Sequence, residues 1–153
     1  MANIHPLATV HPNAKLGENV EVGPYAYIEE HVEIGDGSKI LPHATIFNYV
    51  KMGKNCCVFP GAVIGAVPQD LKFDGEVTYV EIGDNVDINV NFTIMTHDFA
   101  SGVFLNHFKE LVNSSGAVKL GNNIYIGRDV TILKGVTVGD NCVIGLGSIV
   151  TSD

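Results

Sequence analysis

Aliphatic residues recur at every sixth position through most of the chain. The positions that carry them are Ile4, Val10, Leu16, Val22, Ile28, Ile34, Ile40, Ile46, Met52, Val58, Ile64, Ile82, Ile88, Ile94, Leu120, Ile126, Ile132, Val138, Ile144 and Val150. Two residues before most of them stands a small or β-branched residue, and glycine often follows directly after. β-Branched residues favour short strands, and glycine suits a corner where the backbone turns sharply or adopts a positive φ. Each hexad therefore predicts one short strand followed by one corner.

Three such hexads make one triangular coil, and stacked coils bury the aliphatic positions only against neighbouring coils. The pattern predicts an all-β fold, a parallel β-helix of about six to seven coils. We expect residues 1–153 to form one domain, because the hexads keep one phase across long stretches of the chain.

The rhythm breaks twice, at residues 66–79, "AVPQDLKFDGEVTY", and at residues 95–117, which contain "THDF". Counting hexads in threes places both breaks between the second and third sides of consecutive coils, the fourth and fifth. Both insertions should therefore emerge from one edge of the solenoid, one above the other. Loops this long in a compact repeat are usually functional, so we expect them to frame a cleft.

Two polar clusters within these insertions suggest chemistry. His97 stands at the start of the second insertion, where an imidazole can act as a general base at neutral pH. His107, further along, could line the cleft, and Asp70 and Lys72 in "PQDLKF" could meet a substrate phosphate. The alternative is that all four are ordinary polar loop residues. No spacing of histidines and cysteines indicates a metal site.

Charge and composition restrict the partners. The net charge of −8, from 9 basic and 17 acidic residues, argues against nucleic acid and mildly against an acidic partner protein. No apolar run is long enough to span a membrane, and the N-terminus lacks a signal-peptide pattern. Three cysteines without a metal spacing favour a reducing, cytoplasmic compartment.

Exposed β faces predict a homotrimer about an axis parallel to the solenoid.

Two sequence stretches resemble two branches of one superfamily, the hexapeptide-repeat acyltransferases, which fold as left-handed β-helices. Residues 1–85, with "IHPLATVHPNAKLGENVEVG" and "PQDLKF", resemble the UDP-N-acetylglucosamine O-acyltransferases of lipid A biosynthesis. Residues 86–153, with "DINVNFTIMTHDF" and "NNIYIGRDVTILKGVTVGDNCVIGLGSIVTSD", resemble sugar O-acetyltransferases. The hexad phase is continuous across the join, which is either natural or an engineered fusion.

The resemblance implies roles for particular residues. The first branch places the aspartate and lysine of "PQDLKF", here Asp70 and Lys72, near a nucleotide sugar. The second branch uses the histidine of "THDF", here His97, as general base, with acetyl-coenzyme A bound along the final coils. That region contains the coenzyme-binding candidates Gly145, Ser148 and Thr151.

Three departures leave three interpretations open. The "AHD" histidine coil of the lipid A enzymes, their helical domain, and the Pro-rich closing segment of the acetyltransferases have no counterpart in the sequence. The favoured interpretation is acetyl-coenzyme A-dependent O- or N-acetylation of a sugar or nucleotide sugar by His97. The alternatives are an inactive engineered or chimeric trimer scaffold and an acyl-carrier-protein-dependent UDP-N-acetylglucosamine acyltransferase.

Overall fold

The computed structural model describes residues 1–66, 77–96, 107 and 115–153. Twenty short strands follow one another along these ranges. They are β1 (Asn3–Ile4), β2 (Thr9–Val10), β3 (Lys15–Leu16), β4 (Glu21–Val22), β5 (Tyr27–Ile28), β6 (Glu33–Ile34), β7 (Lys39–Ile40), β8 (Thr45–Ile46), β9 (Val50–Met52), β10 (Cys57–Val58), β11 (Val63–Ile64), β12 (Val80–Ile82), β13 (Val86–Ile88), β14 (Thr93–Ile94), β15 (Val118–Leu120), β16 (Ile124–Ile126), β17 (Thr131–Ile132), β18 (Thr137–Val138), β19 (Val143–Ile144) and β20 (Ile149–Val150).

Each strand from β1 to β17 pairs in parallel with the strand three places further along the chain. The result is three sheets: a first sheet of seven strands from β1 to β19, a second of seven from β2 to β20, and a third of six from β3 to β18. Aliphatic positions pair with each other from coil to coil, as Val22 does with Ile40. The chain therefore forms a three-sided parallel β-helix of six complete coils and two strands of a seventh, as the hexad pattern predicts.

The core of the solenoid is the stacked aliphatic positions. In the second sheet Ile46, Ile64, Ile94 and Ile132 have no exposed surface at all. The neighbouring inward positions hold small residues in most coils, but the fifth coil has Phe92 there, also fully buried. Because each aliphatic side chain packs on the same position of adjacent coils, the core runs continuously along the axis.

The corners correct one sequence-based expectation. Positive φ does not fall on the glycines directly after the aliphatic positions, with Gly65 as the exception, but on residues two places later, such as Asn85 (φ 56°) and Asn123 (φ 55°). Asparagine tolerates this left-handed conformation. Gly35 is needed for space instead, because a Cβ there would lie 2.6 Å from the carbonyl carbon of Gly53 on the next coil. Coils only about 4.8 Å apart leave no room for a methyl group at that position.

Replacing Gly35 by alanine is expected to lower the free energy of unfolding by about 1–3 kcal/mol or more, because backbone would have to shift to admit the methyl group. Glu18 is the control: it is exposed at the same corner of the neighbouring coil. Glu18→Ala should change the stability by less than about 0.5 kcal/mol. Urea unfolding of the two variants measures both effects, and equal losses would contradict this explanation of the glycines.

Both insertions leave the solenoid at the same edge. The first joins β11 to β12 and the second joins β14 to β15, so each passes from the second sheet to the third, on the fourth and fifth coils. The register continues across both, since Val80 pairs with Val50 below it and with Val118 above it. The prediction that the insertions emerge from one edge on consecutive coils is confirmed. We call this edge, which also carries His31, Tyr49 and Tyr79, the insertion ridge.

Candidate active site at the insertion ridge

An aromatic column supports the insertion ridge from below. The rings of His31 and Tyr49, on successive coils, stack with their centroids 5.2 Å apart and nearly parallel. Tyr79, where the first insertion returns to the solenoid, meets Tyr49 edge-on at 5.8 Å. These side chains stack because they occupy the same corner of successive coils. The return point of the first insertion therefore rests on a packed surface.

The bases of the two insertions are tied to each other. Thr96, the last described residue of the outgoing limb of the second insertion, is only 2% exposed. The hydroxyl of Thr78, in the returning limb of the first insertion, donates to the hydroxyl oxygen of Thr96 at 3.2 Å. The amide of Gly116 donates to the carbonyl oxygen of Thr96 at 3.0 Å, and the amide of Val118 donates to that of Tyr79 at 3.1 Å. Three of the four limbs thus meet in one hydrogen-bonded cluster.

Apolar side chains are exposed around this cluster. Val77 is 39% exposed, Met95 41% and Tyr79 53%. They lie directly beside the hydrogen-bonded threonines in sequence, on the limbs that leave and return at the ridge. Such a patch offers an apolar surface next to a polar cluster, which is what a substrate with both a hydrocarbon and a polar part requires.

The third sheet presents a row of alternating charge beside the ridge. Its outward positions, in register from coil to coil, are Lys15, Glu33, Lys51, Glu81 and Lys119. The Lys15 ammonium lies 2.7 Å from a carboxylate oxygen of Glu33 and holds the pKa of that carboxyl below its usual value. A cavity of about 380 Å³ lies between this row and the aromatic column. Because lysines and glutamates alternate, this surface is close to neutral and does not by itself favour an anion.

The structure describes one of the four residues predicted to act on the substrate or bind it. His97, Asp70 and Lys72 lie outside the described residues, so their roles remain predictions. The chain positions next to them are placed, since Thr96 directly precedes His97. His107 is exposed. What the structure establishes is that the two segments carrying these residues begin or end at one place.

The predicted coenzyme-binding residues divide between two edges. Thr151 follows β20 on the seventh coil, at the side of the second sheet that borders the insertion ridge. Gly145 and Ser148 lie at the opposite border, between β19 and β20, where the Ser148 hydroxyl donates to the carbonyl oxygen of Gly145 at 2.8 Å. The three residues therefore do not converge on one point within this chain.

The described ranges contain neither a metal-binding cluster nor a membrane-spanning helix. No group of three or more histidine, cysteine, aspartate or glutamate side chains there is arranged to hold a metal ion. Among the same residues, no helix has the length and apolar character needed to cross a membrane.

Sequence reasoning missed Thr78, Thr96 and Tyr79 as parts of the site. The sequence does carry a signal for the threonines, because they stand 18 residues apart, which is the length of one coil. Residues at that separation stack on the same corner of adjacent coils. The signal is obscured because each threonine lies beside an insertion, where the count in sixes is interrupted.

The fold, its repeat and the ridge define the class of the protein. Residues 13–48 and 117–152 match the family described as bacterial transferase hexapeptide (six repeats). The chain belongs to this hexapeptide-repeat family and has its left-handed parallel β-helix.

Two relatives of the chain are described as acyl-(acyl-carrier-protein)–UDP-N-acetylglucosamine O-acyltransferases. The chain is 52% identical over 126 residues to the acyl-(acyl-carrier-protein)–UDP-N-acetylglucosamine O-acyltransferase of Sulfurihydrogenibium sp., which covers 82% of this chain and 42% of that protein. It is 50% identical over 143 residues to the enzyme of the same description from Cupriavidus necator, covering 94% and 49%. The chain thus spans about half the length of the curated relatives it matches.

Solved structures show the same architecture. A UDP-N-acetylglucosamine acyltransferase from Bacteroides fragilis superposes with a TM-score of 0.63 at 38% identity, over 95% of this chain and 54% of that chain. The polySia-specific acetyltransferase NeuO superposes with a TM-score of 0.63 at 22% identity, over 100% and 72%, and this second likeness concerns the fold alone.

Proposed function

We propose that the chain is an acyltransferase that transfers an acyl group from a thioester to a sugar nucleotide at the insertion ridge. The observation that carries the proposal is the joint base of the two insertions, where Thr96, next to His97, is tied to the returning limb of the insertion that contains Asp70 and Lys72. The relatives' descriptions as acyltransferases acting on UDP-N-acetylglucosamine support the same reaction class.

In the proposed reaction His97 is the general base. Its neutral imidazole accepts the proton of an acceptor hydroxyl, and the oxygen attacks the thioester carbonyl. The tetrahedral intermediate collapses, the carbon–sulfur bond breaks, and the leaving thiolate takes the proton back from the imidazolium. Asp70, Lys72 and His107 hold the nucleotide sugar through hydrogen bonds and charge. A backbone N–H at the ridge stabilises the oxyanion.

The acyl donor has two candidates. The relatives' descriptions favour an acyl group carried by acyl carrier protein, and the exposed Val77 and Met95 provide apolar surface for a chain longer than acetyl. This reverses the ranking based on sequence, which places acetyl-coenzyme A first and uses Gly145, Ser148 and Thr151 to bind it. The net charge of −8 is the argument that remains against an acidic carrier protein.

The homotrimer expected from sequence belongs to this proposal. The outward positions of the second sheet, which borders the insertion ridge, carry no charge: they are Thr9, Tyr27, Thr45, Val63, Thr93, Thr131 and Ile149. Interface cores are depleted in charged residues, so this sheet is the side on which another copy packs with least electrostatic cost. A neighbouring protomer seated there would cover the ridge and close the site.

The test is an acylation assay with UDP-N-acetylglucosamine and three donors: acetyl-coenzyme A, a long-chain acyl-coenzyme A, and an acyl-loaded acyl carrier protein. Mass spectrometry of the nucleotide sugar detects the product. Transfer from the loaded carrier protein supports the preferred donor, and transfer from acetyl-coenzyme A alone supports the second. If no donor yields product, the acyltransferase proposal is wrong and the inactive scaffold becomes the better interpretation.

A further inference from the structure

We propose that Thr96 is a positioning residue, and that its hydrogen bond with Thr78 couples the loop that binds the acceptor to the backbone that carries the catalytic base. This inference rests on the proposed function, because it assigns His97 the role of base. Thr96 is the first residue of the "THDF" stretch, but the resemblance gives a role only to its histidine, and Thr78 lies outside that stretch.

Thr96 is buried, so its hydroxyl needs a hydrogen-bond partner. The Thr96 side chain is 2% exposed, and a hydroxyl taken out of water is costly unless it is hydrogen-bonded. Valine would fill nearly the same volume without that requirement. The hydroxyl of Thr78, which donates to the Thr96 hydroxyl oxygen at 3.2 Å, satisfies the buried oxygen. Packing alone therefore does not account for a threonine at this position.

The backbone around Thr96 is held by hydrogen bonds to two other segments of the chain. The amide of Met95 donates to the carbonyl oxygen of Ile132 at 2.9 Å, within the ladder of the second sheet, and Ile94 is fully buried. The Thr96 carbonyl oxygen accepts the amide of Gly116. Residue 96 is thus fixed through side chain and main chain. His97 follows Thr96 directly in the chain, so we expect the anchoring of Thr96 to bear on the base.

Thr78 connects Thr96 to the first insertion. Thr78 stands in the limb that returns from the segment containing Asp70 and Lys72. That limb is fixed in turn, because the amide of Val80 donates to the carbonyl oxygen of Tyr49 at 3.2 Å. Among the described residues, a side-chain hydrogen bond from Thr78 therefore joins the returning limb of the first insertion to the residue that precedes the base. A displacement of about 1 Å at a reacting group can lower a rate by about 100-fold, so this bond bears directly on kcat.

The experiment compares Thr96→Val, Thr96→Ser, Thr78→Val and the Thr78→Val/Thr96→Val double variant with the unmodified chain. Thr96→Val should lower kcat about tenfold to 100-fold with a smaller change in KM for the acceptor. Thr96→Ser keeps the hydroxyl and should stay within about threefold of the unmodified chain. Thr78→Val should lower kcat in the same direction, and the double variant should be no slower than Thr96→Val, because the bond between the two hydroxyls is already lost there. The matched control is Thr137→Val, which alters an exposed, outward threonine of the third sheet and should leave kcat unchanged.

A second readout does not need turnover. The His97 imidazole can be followed by NMR in a pH titration, its signal assigned by its loss in His97→Gln. Thr96→Val should shift that signal, while Thr137→Val should not. Absence of turnover in the unmodified chain refutes the proposed function, whereas an unshifted His97 signal in a folded Thr96→Val refutes the positioning role. So does a Thr96→Ser variant as impaired as Thr96→Val.

Discussion

Replacing His97 by glutamine is expected to lower kcat for acyl transfer by about 100-fold to 10,000-fold, with little change in KM for the sugar nucleotide. Glutamine has a similar length but no group that accepts a proton near neutral pH, so the variant loses general base catalysis while keeping polar contacts. The measurement is steady-state kinetics with the donor that the unmodified chain uses best.

Two controls accompany this variant. His43 stacks on Tyr25 with centroids 5.1 Å apart at the corner between the first and second sheets, so His43→Gln should leave the rate unchanged. His107→Gln is expected to raise KM rather than lower kcat, in keeping with its predicted role toward the substrate. The unmodified chain should lose activity as the pH falls, because a protonated imidazole cannot act as a general base, and the residual activity of His97→Gln should lack this dependence. Full activity in His97→Gln would remove the general base from the mechanism.

Ile46→Ala is expected to lower the free energy of unfolding by about 2–5 kcal/mol. Ile46 has no exposed surface and lies in the third coil, below both insertions, so its truncation leaves a cavity inside the stacked core. The control is Val143→Ala, which alters an outward position of the first sheet that is 78% exposed and should change stability by less than about 0.5 kcal/mol. Urea unfolding measures both. Similar losses for the two variants would show that the aliphatic positions are not the main source of stability.

The hexad spacing predicted the fold and the place of the insertions because one physical requirement governs both. An inward aliphatic side chain on each strand fixes which residues pair between coils, so Ile64 and Ile94 had to end strands of the same sheet. Once those positions were counted in threes, the edge from which each insertion leaves followed without any knowledge of the insertions themselves.

The spacing of the aliphatic residues does not predict features that depend on contacts between neighbouring coils. The glycines that follow the aliphatic positions predict turns, but the role of Gly35 is set by the carbonyl of Gly53 on the next coil. Thr78 and Thr96 stand one coil length apart, but each borders an insertion and neither occupies an aliphatic position, so the pattern does not single them out. The acyl donor depends on contacts outside the repeat, so the aliphatic pattern holds no information on it.

The central claim is that the two insertions together form the acceptor site on the insertion ridge. A crystal structure of the chain with UDP-N-acetylglucosamine bound tests it most directly. The account predicts the sugar ring at the ridge, with a hydroxyl at about 3 Å from the His97 imidazole and the nucleotide against Asp70 or Lys72. A nucleotide sugar bound along the first sheet, away from both insertions, would contradict it.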